Sequence, residues 1–89
     1  MKDKIIDCIC EITKAYSLES EWTPEIEKEI RKISGFSERR LVDVLHDYNP
    51  KGVLYHLDVE VDHSYSMRLY DRYNQDTSIR REILRKYNL

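Results

Sequence analysis

Apolar residues recur at helical spacing in the first part of the chain. Ile5, Ile9, Ile12 and Tyr16 stand three or four residues apart, and the charged residues Asp7, Glu11 and Lys14 fall on the opposite side. Apolar side chains at this spacing lie on one face of a helix, so the pattern predicts an amphipathic helix over residues 3–16.

Two further helices are predicted from capping residues and apolar stripes. Thr23 followed by Pro24 has the form of an N-cap and a first helical turn, and Gly35 is the expected C-terminal stop. Ser37 is the expected N-cap of the third helix. The predicted buried stripes are Ile26, Ile30 and Ile33 in the second helix, and Leu41, Val44, Leu45 and Tyr48 in the third.

The period changes after Asn49-Pro50-Lys51-Gly52, which we interpret as the turn that ends the third helix. Apolar and polar residues alternate over 55–61 and again over 65–69, as in half-buried strands. Because a lone strand leaves its backbone unpaired, we pair the two as a hairpin about residues 62–64. Residues 65–73 also fit a helix through Tyr65, Leu69 and Tyr73, and that alternative stays open.

A last helix is predicted after Asp76-Thr77-Ser78, with Ile79, Ile83 and Tyr87 facing inward. The predicted fold class is therefore α+β, with a three-helix core, a β-hairpin and a final helix. This order resembles the outline of a winged helix.

The segment over residues 30–45 resembles a helix-turn-helix, a motif with a glycine in a short turn, a capping serine and apolar residues inside the second helix. The matching residues are Gly35, Phe36, Ser37, Leu41 and Val44, whereas Arg31 and Ser34 depart from the pattern. The resemblance implies DNA binding through the second helix, where Arg39 and Arg40 suit phosphates and base edges. Asp43 and Asp47 on the same outward side would repel phosphate.

Composition indicates one soluble globular domain over residues 1–89. The chain is 40% hydrophobic and 36% charged, with only two Gly and two Pro. No apolar run approaches the roughly 20 residues that span a bilayer, and charged residues interrupt the N-terminal apolar stretch, so we expect neither a membrane partner nor a signal peptide. Cys8 and Cys10 point apart on a helix, which predicts free thiols, no metal and a cytoplasmic location.

Charge is distributed unevenly along the sequence. Residues 1–34 hold six Lys/Arg against eight Asp/Glu, residues 35–62 hold three against six, and residues 63–89 hold six against three. The C-terminal excess of positive charge predicts an electrostatic partner, and the alternative is a domain that balances its charge internally. The candidate partner-binding residues are Arg39, Arg40, Arg68, Arg72, Arg80, Arg81 and Arg85.

Tyrosines accompany some of these arginines. Tyr65, Tyr70 and Tyr73 intermix with Arg68 and Arg72. Such a mixture fits a surface that stacks on single-stranded nucleic acid, and equally a protein-binding hot spot.

No arrangement of residues indicates catalysis or a cofactor. The set His56, Asp58, Glu60 and Asp62 would share one strand face and could form a metal or nuclease site, but side chains along one strand diverge, so we interpret it as a solvated face. No phosphate-binding glycine loop and no nucleophile with its base are apparent. We therefore expect no enzyme, no cofactor and no metal.

The expected function is non-enzymatic binding. The first hypothesis is a winged-helix-like nucleic-acid-binding regulator that uses the seven arginines. The alternative is a protein-directed regulator or inhibitor, such as a mobile element or phage encodes against host machinery, acting through acidic faces and the Arg/Tyr surface. A homodimer through the outer edge of the hairpin is a further option for the partner.

Overall fold

The computed structural model of the chain describes residues 2–32, 35–47 and 49–89. Within these ranges the chain forms six α-helices and no strand. The helices are α1 Lys2–Tyr16, α2 Pro24–Arg31, α3 Glu38–Asp47, α4 Pro50–His56, α5 His63–Gln75 and α6 Ser78–Lys86.

The predicted α+β fold is therefore wrong, and the residues expected to form a hairpin are largely helical. The cause lies in two segments that we interpreted as turns. The side chain of Asn49 accepts a hydrogen bond of 2.8 Å from the backbone N–H of Gly52, and Pro50 occupies the first turn, so this segment begins α4. Asp62 likewise caps α5 by accepting a 2.7 Å hydrogen bond from the N–H of Tyr65.

The alternation over 55–61 is real but belongs to a helix end and a connection. Helix α4 ends with Asp58 in the left-handed conformation at φ 57°. The N–H of Asp58 donates to the carbonyl of Tyr55 at 3.1 Å, and the N–H of Val59 donates to that of Leu54 at 2.9 Å, as in a Schellman motif. Leu57 and Val59 are buried, while Asp58 and the residues flanking Val61 are exposed.

The helical alternative for residues 65–73 is confirmed. Tyr65 and Leu69 are buried in α5, one turn apart, and Tyr73 is half-buried on the same side. Tyr65 and Leu69, four residues apart, fit both a strand and a helix, whereas Met67 between them is only half-buried, and the cap at Asp62 begins the helix.

The winged-helix outline fails together with the hairpin, since the described residues contain no β wing. The helix-turn-helix resemblance is also not sustained. Helix α2 ends at Arg31 with Lys32 as its C-cap, and α3 begins at Glu38, so the connection is longer than the three or four residues of that motif. Gly35 therefore does not end α2. The predicted positions Ile33, Ser34 and Tyr48 lie outside the described residues.

The core is organised around α1, which packs against each of the other five helices. Its apolar stripe is buried as predicted. Thr13, also buried, donates its hydroxyl hydrogen bond to the carbonyl of Ile9 at 2.9 Å. The other helices contribute the fully buried side chains Ile30, Leu41, Val44, Leu45, Leu54 and Leu69. The single-domain prediction stays a prediction.

The predicted starts of α2 and α3 are confirmed. The hydroxyl of Thr23 accepts from the N–H of Ile26 at 3.3 Å, and that of Ser37 accepts from the N–H of Arg40 at 3.2 Å. At α6 the side chain of Asp76 accepts from the N–H of Ser78 at 2.9 Å. In the described part of the chain, every helix is too short or too polar to cross a membrane.

Candidate binding surface

Two of the candidate arginines are bound to one glutamate. Arg72 of α5 places Nη1 2.6 Å from Oε1 of Glu21 and donates a 2.9 Å hydrogen bond to the carbonyl of Tyr16. Arg68, one turn earlier, pairs through Nε with Oε2 of the same carboxylate. Both arginines therefore join α5 to the connection between α1 and α2.

Glu21 is nearly enclosed in this arrangement, with 10% of its side chain exposed. The hydrogen bond from Arg72 lowers the pKa of Glu21 to about 2, with further lowering by the N–H of Leu18 and by Arg68. The same pair raises the pKa of Arg72. Since charge-assisted pairs are among the stronger hydrogen bonds, Arg72 is occupied inside the fold.

Arg80 is also turned inward. Its Nη2 donates to the carbonyl of Leu45 in the last turn of α3, and its Nη1 donates to the hydroxyl of Tyr73 at 3.2 Å. A cation near the C-terminal carbonyls of a helix is favoured by the helix dipole. The backbone N–H of Arg80 donates to the hydroxyl of Tyr16 at 3.2 Å, so this residue joins α6 to α1 and α3.

The remaining candidates, Arg39 and Arg40 on α3 and Arg81 and Arg85 on α6, are exposed. They make no ion pair with the described part of the chain. The guanidinium of Arg40 lies 4.8 Å from the ring centre of Phe36. These four exposed arginines are thus divided between two helices.

Positive and negative side chains partly pair with each other within the fold, as expected if the domain balances its charge internally. Lys86 Nζ lies 3.0 Å from Oε1 of Glu11, and Arg31 Nη1 lies 2.8 Å from Oδ1 of Asp7. Together with the two ion pairs of Glu21, these contacts join cations of α2, α5 and α6 to carboxylates within the first 21 residues.

The tyrosines near the α5 arginines do not form one stacking surface. Tyr65 is buried, and its hydroxyl lies 2.5 Å from that of Ser17. Tyr73 is half-buried, edge-on to Tyr16 at 5.9 Å between ring centres. Tyr70 alone among the three is exposed, with Lys51 Nζ 5.3 Å from its ring centre.

A groove of about 270 Å³ lies between α4 and the start of α5, and we call it the α4–α5 groove. Its lining residues are Lys51, Leu54, Tyr55, Val59, Val61, His63 and Ser66. Leu54 and Val59 are buried, whereas the Tyr55 ring stands 87% exposed. The groove is therefore a largely apolar depression beside an exposed aromatic side chain.

The charged residues near the groove are of both signs. Lys51 lines the groove, with Nζ 3.3 Å from Sδ of Met67 and over the Tyr70 ring, and it makes no ion pair with a described residue. Asp58 and Glu60 in the connection after α4 are exposed and likewise make no ion pair with a described residue, but neither lines the groove, and Glu60 lines a second depression together with Arg68.

The predicted single strand face of His56, Asp58, Glu60 and Asp62 does not exist. His56 is the last residue of α4, near the Phe36 ring at 6.0 Å between ring centres, and the three carboxylates lie in the following connection. Among the described residues, no three His, Cys, Asp or Glu are arranged to hold a metal ion.

The two cysteines are free and buried in α1. Burial raises the pKa of the Cys8 thiol to about 12 and that of Cys10 to about 11. Nucleophilic cysteines are thiolates at neutral pH, so these two have the chemistry of structural residues.

Two important residues were missed in the sequence analysis. Glu21 lies in a connection, and its link to α5 has no local signal. The exposure of Tyr55 follows once Asn49 is taken as a helix cap. At about 100° per residue, a helix that buries Val53, Leu54 and Leu57 turns Tyr55 outward.

Comparison of the chain with protein-family models, with curated proteins and with solved structures found no match.

Proposed function

We propose that this chain is a non-enzymatic binding module that recognises another protein and regulates or inhibits it. The observation that carries the proposal is the 87% exposure of Tyr55 at the margin of the α4–α5 groove. Tyrosine combines a large apolar ring with a polar hydroxyl and a stiff side chain, and it is enriched among residues that dominate protein interfaces.

The size of the groove favours a protein partner over a small molecule. At about 270 Å³ it lies just below the roughly 300–1,000 Å³ typical of small-molecule sites. Its lining is apolar except for one lysine, one histidine, one serine and the hydroxyl group of Tyr55. A side chain from a protein surface matches this combination.

The charges near Tyr55 oppose nucleic acid at this surface. Asp58 and Glu60 would repel phosphates, and Arg68, Arg72 and Arg80 are engaged in internal contacts. Phosphate contacts supply much of the affinity of a nucleic-acid-binding protein.

A second candidate function is nucleic-acid binding through Arg39, Arg40, Arg81 and Arg85. The observation that favours it is that all four are exposed and lack an ion pair with the described residues. Carboxylates accompany them on the same helices, Glu38 and Asp43 on α3 and Glu82 on α6, which weakens the attraction of phosphate.

The test is a pulldown from native cells with and without nuclease. We expect a stoichiometric protein that nuclease does not remove. Tyr55→Ala should reduce its recovery by roughly tenfold or more, as for an interface hot spot. The matched control is Leu18→Ala, because Leu18 is 56% exposed and lies outside the groove.

Recovery of nuclease-sensitive nucleic acid, lost on combined substitution of Arg81 and Arg85 and kept in Tyr55→Ala, would instead establish the second candidate. Absence of any nuclease-resistant protein would contradict the first.

A further inference from the structure

The α4–α5 groove combines apolar walls with polar groups that donate hydrogen bonds. Leu54 and Val59 form buried apolar walls. The polar side chains of the lining each carry a hydrogen-bond donor, and they are Lys51, Tyr55, His63 and Ser66. Among the described residues, no carboxylate lines the groove. The lining therefore favours an occupant that joins an apolar group to a hydrogen-bond acceptor.

Lys51 brings to the groove a positive charge that no described carboxylate neutralises. Its side chain is half-buried, with Nζ 3.3 Å from Sδ of Met67. An ammonium group has three N–H donors and a thioether is a weak acceptor, so this contact uses little of what Lys51 can donate. A carboxylate would accept a stronger, charge-assisted hydrogen bond from the same group.

Two exposed tyrosines adjoin this lysine. Tyr55 lies one turn after Lys51 on α4, so the two side chains share a face of the helix. The Tyr70 ring of α5 has its centre 5.3 Å from Lys51 Nζ. Tyrosine is enriched among the residues that dominate protein interfaces. Lys51 thus lies in an aromatic patch at the groove rather than on a wholly polar face.

Carboxylates outside the groove restrict where the negative charge of a partner can lie. Asp58 and Glu60 follow the last turn of α4 and do not line the groove, whereas Lys51 lies in its first turn. A nucleic-acid backbone carries a charge at every nucleotide and would meet both carboxylates. A peptide can instead confine its carboxylate to the end of the groove at Lys51.

We infer that the α4–α5 groove binds an acidic segment of the partner protein, with an aliphatic side chain of that segment against Leu54 and Val59 and a neighbouring glutamate or aspartate at Lys51. Burial of the aliphatic side chain would supply most of the affinity, and the carboxylate would supply selectivity. This inference rests on the proposed function and adds the chemistry of the partner.

The test uses synthetic peptides with blocked ends as probes and the whole chain labelled with ¹⁵N. In the first two probes one leucine has one glutamate before it or after it, and all other residues are glycine or serine. In matched probes the glutamate is replaced by lysine, or the leucine by serine. Chemical shifts of backbone amides locate each peptide, and titration provides its Kd.

We expect the tighter of the two glutamate–leucine peptides to perturb the amides of Lys51, Tyr55 and Val59. Replacing its leucine by serine should weaken binding about tenfold or more, because the burial of one leucine side chain is lost. Replacing its glutamate by lysine should weaken binding about threefold or more, since a weak attraction is exchanged for a repulsion.

Reversing the charge of the groove lysine should reverse this preference. Lys51→Glu should weaken the glutamate–leucine peptide about threefold or more and strengthen the lysine–leucine peptide, and Lys51→Gln should bring their affinities close together. Lys51→Glu should fold, because the helix dipole favours a carboxylate in the first turn of a helix. The matched control is Lys28→Glu, at an exposed lysine of α2 that does not line the groove, and it should leave the preference unchanged. Circular dichroism verifies that the variants fold.

Four results would overturn the inference. Three concern the peptides, and they are no perturbation at the groove, equal affinity for the glutamate–leucine and lysine–leucine peptides, and an equal change of preference in Lys51→Glu and Lys28→Glu. The fourth is perturbation of groove amides by protein concentration alone, which would assign the groove to a second copy of the chain. The proposed function is judged separately by the pulldown, because a nuclease-resistant partner that depends on Tyr55 would uphold it whichever peptide bound more tightly.

Discussion

One guanidinium nitrogen of Arg72, Nη1, lies 2.6 Å from Oε1 of Glu21 and 2.9 Å from the carbonyl oxygen of Tyr16. A single side chain of α5 thereby holds both the last residue of α1 and the connection that follows it. This contact removes Arg72 from the surface available to a partner, and it makes the fold sensitive to the charge of Glu21.

Glu21→Gln should destabilise the protein at neutral pH. Because the pKa of Glu21 is lowered from 4.5 to about 2 in the fold, its ionised form stabilises the protein above pH 4.5, by roughly 1–3 kcal/mol since solvent screens the partly exposed guanidinium groups of Arg68 and Arg72. That contribution should be lost as the pH falls from about 4.5 towards 2. Urea unfolding across this range should show a smaller pH dependence in Glu21→Gln. Glu19→Gln, at an exposed neighbouring position, is the control and should change stability by less than about 0.5 kcal/mol.

Arg80→Ala should be more destabilising than the combined change of Arg81 and Arg85 to alanine. Arg80 donates to the Leu45 carbonyl and the Tyr73 hydroxyl, and hydrogen bonds from charged groups contribute roughly 1.5–3 kcal/mol. Arg81 and Arg85 are exposed like charges one turn apart, so their removal should shift stability by only a few tenths of a kcal/mol. Chemical denaturation measures both, and equal losses would contradict the inward role of Arg80.

Asp58 and Asp62, four positions apart, should respond in opposite directions. Asp58→Gly should raise the free energy of unfolding by about 0.5–1 kcal/mol, because glycine accepts the left-handed conformation without strain. Asp62→Ala should lower it by about 0.5–2 kcal/mol through loss of the α5 cap. Thermal unfolding of the two variants tests this, and a stabilised Asp62→Ala would disprove the capping role.

Cys8 and Cys10 should be unreactive in the folded protein. Both thiols are buried, and their pKa values of about 12 and about 11 leave almost no thiolate near pH 8. A thiol-reactive disulfide dye should label neither in native buffer and both in denaturing urea. Glutathione under each condition controls for reagent activity, and rapid labelling of the native protein would show that α1 opens readily.

The first helix and the starts of the next two could be predicted from the sequence alone. The stripe of Ile5, Ile9 and Ile12 repeats with a helical period, and the Thr23 and Ser37 caps act through hydrogen bonds to residues three positions away. Both signals are local, so they do not depend on the rest of the fold.

The hairpin was predicted wrongly because alternating apolar and polar residues do not specify the secondary structure that carries them, and Tyr55, the first apolar residue of the series, is exposed. Leu57 and Val59 do face the core, yet the chain reaches it through a helix end and a connection. The caps at Asn49 and Asp62 were visible in the sequence as residue types, but those residue types also form turns. Tertiary packing of α4 and α5 decided between the two outcomes.

Which arginines make internal contacts and which stay exposed was likewise decided only by the tertiary structure. The sequence determines that Arg72 and Arg81 carry the same charge on the same long, flexible stem. It does not place Glu21 beside one of them, since that carboxylate lies 51 residues away along the chain and reaches Arg72 only when α5 packs on α1. Long side chains bind whichever partner the fold brings within hydrogen-bonding distance. An arginine with an internal contact and an exposed arginine available to a partner therefore cannot be distinguished from the sequence alone.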